Sequence, residues 1–304
     1  MKQEFRNQLC GIVGSDNTYL DEPMSRHTTF RIGGPADYYV TPHSKEEIRD
    51  VIQACREAQI PYYILGNGSN LLVGDKGYRG VVIQIFKNFS DIQVEGLGIR
   101  AKAGALLSRI AKTAMTNGLT GMEFAAGIPG TLGGAVMMNA GAYGGEMKDI
   151  LKEAVVLTEN GEFLTLTAEE LELGYRTSVI AKKRYFVLEA KLALKKGASE
   201  EIQAIMEDLH GRRVSKQPLE YPSAGSTFKR PAGYFAGKLI MDAGLRGFSV
   251  GDAQVSEKHC GFVINKGRAT AEDVRNLMDE VIRKVQETSG VTLEPEVKML
   301  GEFK

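Results

Sequence analysis

The apolar and polar positions of the first part of the chain follow the pattern of strands connected by a helix. One stretch repeats at helical spacing, through Ile48, Val51, Ile52 and Cys55. Ser44 lies before this stretch and Glu47 at its start, three residues apart, which is the pattern of a capping box. Short apolar runs at 61–65 and 81–85 predict strands on its far side. A helix that joins strands in this way favours a small parallel sheet of βαβ type with right-handed crossovers.

From about residue 88 the pattern changes to that of an antiparallel sheet. Residues 99–103 and 155–158 read as strands, and Asn160-Gly161 before the run 163–166 is a hairpin turn signal. Residues 186–194 alternate between apolar and more polar side chains, which is typical of a half-buried strand. The second region is therefore predicted to be an antiparallel sheet with helices.

The segment Lys195 to Ser199 has the composition of a linker, and helices follow it. The first helix is predicted from one face formed by Ile202, Ile205, Met206 and Leu209. The last begins at Thr270, and its apolar face comprises Val274, Leu277, Met278, Val281, Ile282 and Val285. The chain is thus predicted to be an α+β protein with two subdomains, 1–87 and 88–197, and a separate C-terminal α+β domain, 198–304.

Composition and charge remove several classes of function. The 304 residues are 43% hydrophobic, as in ordinary soluble domains. The 38 basic and 38 acidic side chains cancel, which argues against a general nucleic-acid binder but allows a local basic pocket. The cysteines (Cys10, Cys55 and Cys260) form no CxxC pair, so we expect neither a metal site nor a disulfide framework. With no long apolar run, we expect a cytoplasmic protein that does not enter a membrane.

Two glycine clusters suggest phosphate chemistry. The first follows a predicted strand and comprises Gly66, Asn67, Gly68, Ser69 and Asn70. Successive N–H groups in such a loop can form a nest for phosphate oxygens, although a simple tight turn is an equal alternative.

The second cluster opens a predicted helix and comprises Gly127, Ile128, Pro129, Gly130, Thr131, Gly133 and Gly134. Thr131 as N-cap would leave the first N–H groups of that helix facing outward as an anion site; the alternative is a structural loop packed on a neighbour. Neither cluster matches the Rossmann or P-loop fingerprints. Two loops that together hold a diphosphate indicate a dinucleotide bound outside the Rossmann scheme.

Seven motifs in sequence order carry a family resemblance. They are HTTFRIGGPAD (27–37), LGNGSNL (65–71), EFAAGIPGTLGG (123–134), MNAGAYG (138–144), GYRTS (174–178), PSAGSTFK (222–229) and LEPEV (293–297). The first three resemble the FAD-binding domain of the vanillyl-alcohol-oxidase type. Together they resemble the UDP-N-acetylenolpyruvoylglucosamine reductase (MurB) family, over nearly the whole chain. The short C-terminal region resembles the compact form of that family, which lacks an extra tyrosine-bearing loop over the substrate.

The resemblance implies a flavoenzyme of peptidoglycan precursor synthesis. NADPH would reduce a bound FAD, and the flavin N5 would pass hydride to the enolpyruvyl ether of a UDP-sugar. Subdomains 1–87 and 88–197 would bind FAD, and 198–304 would bind the substrate. The residues at 66–70 and in the second glycine cluster would then hold the cofactor.

The chemistry asks for a cation and an acid at the reacting double bond. Arg176 would stabilise charge on the enolpyruvyl carboxylate, and the family's proton donor corresponds to Ser226. Glu296 would share a proton or water with that carboxylate, which predicts a raised pKa. Read without the resemblance, the same residues are a surface arginine, a turn serine and an exposed strand glutamate.

Several more residues are candidates for the UDP-sugar. Lys216, Lys229, Arg230 and Lys238 form a local basic cluster suited to a diphosphate, and Tyr175 beside Arg176 would close the pocket. His259 and Asn265 are interpreted as structural. Two other functions stay open, an FAD oxidase or dehydrogenase of the same fold and a non-catalytic UDP-sugar binding protein. We expect a monomer, and the preference between NADPH and NADH is left open.

Overall fold

A computed structural model describes residues 2–303, which divide into two units that share the chain between them. The first unit contains the described residues up to Tyr19, together with Tyr39–Asn67 and Val81–Arg213. The second contains Leu20–Tyr38, Gly68–Gly80 and the described residues from Val214 onward. Neither unit is a continuous segment. The division into three domains at residues 87 and 197 stays a prediction.

The helices and strands alternate along most of the chain. The α-helices are α1 (Lys2–Val13), α2 (Lys45–Glu57), α3 (Leu107–Thr116), α4 (Leu132–Met137), α5 (Val179–Lys182), α6 (Ser199–Lys216), α7 (Ala236–Asp242) and α8 (Ala271–Ser289). The strands up to residue 102 are β1 (Thr18–Pro23), β2 (Pro35–Val40), β3 (Tyr62–Leu65), β4 (Leu71–Val73), β5 (Tyr78–Gln84), β6 (Ile92–Glu95) and β7 (Gly98–Lys102). The next are β8 (Leu119–Thr120), β9 (Gly141–Ala142), β10 (Gly145–Glu146), β11 (Leu151–Leu157), β12 (Phe163–Thr167), β13 (Phe186–Ala193) and β14 (Lys195–Lys196). The last are β15 (Ser223–Ser226), β16 (Ser249–Val250), β17 (Ala253–Val255), β18 (Phe262–Asn265) and β19 (Lys298–Leu300).

The predicted helix behind Ser44 and the parallel strand pair are both present. The Ser44 hydroxyl accepts a hydrogen bond from the Glu47 N–H at 3.1 Å, and the predicted apolar face of α2 is buried. The Glu47 carboxylate accepts from the N–H of His43, one residue before the position that a complete capping box requires. Strand β3 pairs in parallel with β5, in a sheet of order β1-β2-β5-β3. The connection from β3 to β5 contains β4 rather than a helix.

The antiparallel sheet of the first unit has the order β12-β11-β13-β7-β6. Its hairpin β11–β12 turns at the predicted Asn160-Gly161 site, where the Gly161 N–H donates to Thr158. Strand β13 runs antiparallel to both β11 and β7 and alternates between buried and partly exposed residues. The sequence prediction for this sheet is confirmed.

Two predictions about the segment after β13 are wrong. Lys195-Lys196 is a strand paired with β8, and the Gly197 N–H donates to Gly118 at 2.8 Å, so this segment is not a linker. Helix α6 follows as predicted, but Ile202 is its one buried residue and Ile205 is exposed. Its side chains Met206 and Leu209 instead line a cavity of about 450 Å³ beside α3. The composition of a segment cannot show that it pairs with a strand far away in the sequence, which explains the error.

The second unit is built around α8 and an antiparallel sheet of order β15-β18-β17-β16. Thr270 caps α8 in a complete capping box with Asp273, and most of the predicted apolar face is fully buried. Its core also takes in residues from distant parts of the chain, Phe30, Ile32 and Leu72. Strand β19 pairs in parallel with β4 in the same unit. Within residues 2–303, no helix is long and apolar enough to cross a membrane.

Candidate active site

The two glycine clusters meet in the first unit. The Asn67 side-chain amide donates to the Pro129 carbonyl at 2.6 Å. A Cβ on Gly66 would lie 2.4 Å from the Thr131 hydroxyl, so a larger residue there would require the Thr131 side chain to shift. Among residues 2–303, no protein acceptor takes the backbone N–H groups of Gly66, Asn67 or Gly130. These N–H groups are suited to the oxygens of a diphosphate, as the sequence pattern predicts.

The start of helix α4 differs from the prediction. The N–H groups of Leu132 and Gly133 donate to the carbonyls of Ala105 and Ala103, both at 2.8 Å. Thr131 occupies the N-cap position, but its side chain makes no capping hydrogen bond. The expectation that the first N–H groups of this helix face outward is therefore wrong, because neighbouring backbone already uses them. The N–H groups of Leu132 and Gly133 are thus not available to an anion, whereas that of Gly130 in the loop before the helix is.

The remaining residues of both clusters have varied surroundings. Gly68 has φ of +62°, and a Cβ there would lie 2.0 Å from the His27 carbonyl, which supports the tight-turn reading at this position. The Asn70 side-chain amide donates to the Glu296 carbonyl at 3.2 Å. Ser69 lies between Gly68 and Asn70, in a turn. In the second cluster, the Ile128 N–H donates to Ala125, the Gly127 carbonyl accepts from Arg213, and Gly134 is exposed.

Ser226 and Glu296 come together in the second unit. Ser226 ends strand β15, opposite Phe262, and its side chain is exposed. The next carbonyl, that of Thr227, accepts from the Glu296 N–H at 2.8 Å. Glu296 lies just before β19 and is 8% exposed, so the alternative of an exposed strand glutamate is wrong. A hydroxyl and a buried carboxyl group are thus fixed on adjoining stretches of backbone.

Arg176 lies in a two-residue turn of the first unit. Gly174 and Thr177 exchange backbone hydrogen bonds of 3.1 and 3.2 Å, which closes the turn around Tyr175 and Arg176. Arg176 adopts φ of +55°, a conformation that costs a non-glycine residue about 1 to 2 kcal/mol. Its guanidinium lies 5.3 Å from the centre of the exposed Tyr175 ring, and its Nε is buried. Strain at a residue of this kind is common at functional sites.

Sequence reasoning missed the residues that hold this turn. Asn139 belongs to the motif MNAGAYG, and its side-chain amide donates to the Gly174 carbonyl at 3.3 Å. Ser178 is fully buried, and its hydroxyl donates to the Met137 carbonyl at 2.6 Å. The motif indicated that Asn139 matters, but local periodicity cannot predict a contact between residues 139 and 174.

The predicted basic residues of the second unit are partly neutralised by acidic partners. Lys229 pairs with Glu294, and Lys238 lies 2.8 Å from the Asp242 carboxylate. Arg230 stacks on the Phe235 ring at 4.0 Å, and Lys216 is exposed at the end of α6. The positive charge of this cluster is therefore smaller than its lysines and arginine alone suggest. Its role with a diphosphate stays a prediction.

His259 and Asn265 have structural roles, as expected. The Gly261 N–H donates to His259 Nδ1 at 3.1 Å, and the imidazole ring packs edge-on against Phe262. Burial lowers the pKa of His259, which keeps the imidazole neutral. The Asn265 side chain accepts from the N–H groups of Gly267 and Ala269 and donates to Phe30.

Comparisons with known proteins agree along the chain. Residues 36–167 match the family model "FAD binding domain", and residues 217–300 match that of the "UDP-N-acetylenolpyruvoylglucosamine reductase, C-terminal domain". The UDP-N-acetylenolpyruvoylglucosamine reductase of Agathobacter rectalis is 58% identical over 100% of both chains. That of Caldanaerobacter subterraneus subsp. tengcongensis is 53% identical over 99% of this chain and 100% of its own.

The chain belongs to the UDP-N-acetylenolpyruvoylglucosamine reductase family.

A solved structure supports the same assignment. The crystal structure of the reductase (MurB) from Thermus caldophilus is 39% identical, with a TM-score of 0.78 over 93% of this chain and 98% of that one. The protein is a flavin-dependent oxidoreductase that uses FAD and NADPH. The predicted fold class and the predicted reductase function are confirmed at the level of the family.

Proposed function

We propose that this protein reduces UDP-N-acetylglucosamine enolpyruvate to UDP-N-acetylmuramate in peptidoglycan precursor synthesis. FAD, when bound and reduced by NADPH, would supply the hydride for the enolpyruvyl double bond. Gly66, Asn67 and the loop from Gly127 to Thr131 hold the diphosphate of the cofactor through the available backbone N–H groups. The protein acts in the cytoplasm and as a monomer; light scattering of the purified protein tests the monomeric state.

The protein side chains handle the charge and the proton that this reduction requires. Hydride addition to the terminal carbon leaves negative charge beside the substrate carboxylate. Arg176 stabilises that charge, because a fixed guanidinium is preorganised for a carboxylate oxygen. Ser226 then gives its hydroxyl proton to the carbanionic carbon. Glu296, buried and protonated or sharing a water proton, binds the substrate carboxylate without repelling it.

The observation that supports these roles best is the juxtaposition of Ser226 and Glu296. The Thr227 carbonyl joins the two stretches through the Glu296 N–H at 2.8 Å. Burial disfavours the charged form of a carboxyl group, so the buried Glu296, on the stretch of backbone bonded to the residue after Ser226, is suited to act as a hydrogen-bonding acid. For a substrate that carries its own carboxylate, the arrangement provides one hydrogen-bonding acid and one proton donor.

The test separates the two half-reactions of the flavin under anaerobic conditions. The FAD of Ser226→Ala should bleach with NADPH at the unchanged rate. Its reoxidation by UDP-N-acetylglucosamine enolpyruvate should be slower by about 10²- to 10⁴-fold, the usual contribution of a positioned proton donor. Ser223→Ala, on the same strand β15, makes the same chemical change at another position and should leave both rates unchanged.

The outcomes distinguish this reaction from the alternatives. If Ser226→Ala reoxidises at the normal rate, Ser226 is not the proton donor. Reoxidation of the unsubstituted protein by oxygen but not by the enol ether would indicate an oxidase or dehydrogenase. A folded protein that takes up no FAD would instead be a UDP-sugar binding protein.

A further inference from the structure

Helix α4 connects two parts of the first unit that the reaction needs. Thr131, at its N-cap, contacts Gly66 and so belongs to the meeting point of the glycine clusters. At its other end, Met137 and Asn139 reach the turn that carries Arg176. The helix is six residues long, which makes it a short and stiff spacer between the two.

Asn139 ends this helix in a way that glycine also could. It has φ of +44°, its N–H donates to Val136, and the next N–H, of Ala140, donates to Ala135. This pair of bonds is a Schellman motif, in which the left-handed position is usually glycine and sometimes asparagine. Helix termination therefore explains the backbone of Asn139 but does not call for its side chain.

The Asn139 side chain is fully engaged and is 2% exposed. Its Nδ2 donates to Glu146 Oε2 at 2.8 Å and to the Gly174 carbonyl at 3.3 Å. Its Oδ1 accepts from the Lys148 N–H at 2.9 Å. One amide thus ties the end of α4 and the segment after β10 to the first residue of the Arg176 turn.

We propose that Asn139 is a positioning residue for Arg176, because its amide fixes the Gly174 carbonyl and with it the strained turn relative to α4. The proposal rests on the proposed function of Arg176. The Ser178 hydroxyl secures the other flank of the turn on Met137. A catalytic cation displaced by about 1 Å can lose about 10²-fold in rate, so a single amide contact at this place affects the chemistry.

Asn139→Gly separates the two roles of this residue. Glycine retains the left-handed helix end and removes only the side-chain hydrogen bonds. We expect flavin content and reduction by NADPH to stay unchanged, and reoxidation by UDP-N-acetylglucosamine enolpyruvate to slow by about 10- to 100-fold. The control is Gln59→Gly, which also replaces a residue with positive φ, at an exposed site in the same unit, and should change neither rate.

A double-mutant cycle shows whether Asn139 acts through Arg176. If it does, Asn139→Gly in the Arg176→Ala background slows reoxidation no further, whereas independent effects multiply. Multiplying effects, equal slowing of both half-reactions or loss of FAD would overturn the proposal. If Arg176→Ala itself leaves reoxidation unchanged, the proposed function of Arg176 has failed instead.

A second variant covers the case in which Asn139→Gly does not fold. Asn139→Asp has the same shape but places a carboxylate against Glu146 and the Gly174 carbonyl. In the double variant Asn139→Asp with Glu146→Gln, the repulsion between the two carboxylates is gone. The new carboxylate at position 139 still faces the Gly174 carbonyl, so that contact stays unfavourable. We expect the double variant to regain stability but not the reoxidation rate; recovery of both would mean that Asn139 only stabilises the fold.

Discussion

Arg176 and Glu296, the two residues proposed to bind the substrate carboxylate, are held by different kinds of bond. Arg176 lies in a turn with unfavourable φ, and the side chains of Asn139 and Ser178 secure the flanks of that turn. Glu296 is held through its own backbone, whose N–H donates to the Thr227 carbonyl and whose carbonyl accepts from the Asn70 side-chain amide. The side chains of Asn139 and Ser178 therefore secure residues that flank Arg176, whereas Glu296 is fixed directly at its own N–H and carbonyl groups.

The largest expected effect tests Arg176 and its strained turn. Arg176→Gly should slow reoxidation of the flavin by substrate about 10²- to 10³-fold, the cost of removing one electrostatic contact to a developing charge. The same change removes the contact with the Tyr175 ring, but relief of the left-handed conformation offsets the greater freedom of glycine in the unfolded chain, so we expect only a small change in the free energy of unfolding. Rapid-mixing kinetics and chemical denaturation measure the two quantities.

The matched control for Arg176→Gly is Arg184→Gly. Arg184 is an exposed arginine with φ of +51° in the same unit, so the substitution and the backbone conformation are the same. It should leave both half-reactions unchanged. A clear loss of stability in Arg176→Gly but not in Arg184→Gly would show that the arginine supports the fold rather than the reaction.

An effect of intermediate size tests how the backbone that holds Glu296 is itself stabilised. Thr227 is fully buried, and its hydroxyl accepts from the Val263 N–H at 2.9 Å. Thr227→Val keeps the carbonyl that holds Glu296 but leaves the Val263 N–H without its acceptor, so we expect a loss of about 1 to 3 kcal/mol of unfolding free energy. Thr165→Val, at an exposed strand position, should change it by less than about 0.5 kcal/mol. Equal losses in both variants would contradict this expectation.

The smallest expected effect is a pH dependence in the second unit. Burial lowers the pKa of His259 from its ordinary value of 6.5, so the unfolded chain binds a proton more readily than the folded one. The stability that depends on neutral His259 is therefore present above about pH 6.5 and is lost as the pH falls below it. His259→Asn retains an acceptor for the Gly261 N–H. We expect the thermal unfolding midpoint of this variant to depend less on pH below about pH 6.5 than that of the unsubstituted protein. His43→Asn, at an exposed histidine, should leave the slope unchanged.

Local patterns predicted much of the fold. The apolar face of α8, the Ser44 cap and the hairpin at Gly161 all depend on residues within a few positions of one another, and all are confirmed. The pairing of Lys195-Lys196 with residues 119–120 and the poor burial of α6 depend on distant parts of the chain, and both were missed.

The candidate site shows the same limit. The resemblance assigned roles to Arg176, Ser226 and Glu296 because it links residue types in order, and these roles stay predictions. The motifs did not predict that the first N–H groups of α4 are used by Ala103 and Ala105, since that contact joins segments that are separate in sequence. Nor did they assign a function to Asn139, whose partner lies 35 residues away.

The sharing of the chain between the two units has a consequence for synthesis on the ribosome. Phe30, Ile32 and Leu72 belong to a core whose other members lie between Ala224 and Val297. At about 5 to 20 residues per second, roughly 10 to 45 s separate the emergence of Leu72 from that of Val297. Until the end of that interval these apolar side chains lack part of their native core, so slow translation of the last third of the message prolongs the period in which the nascent chain is open to aggregation or to chaperone binding.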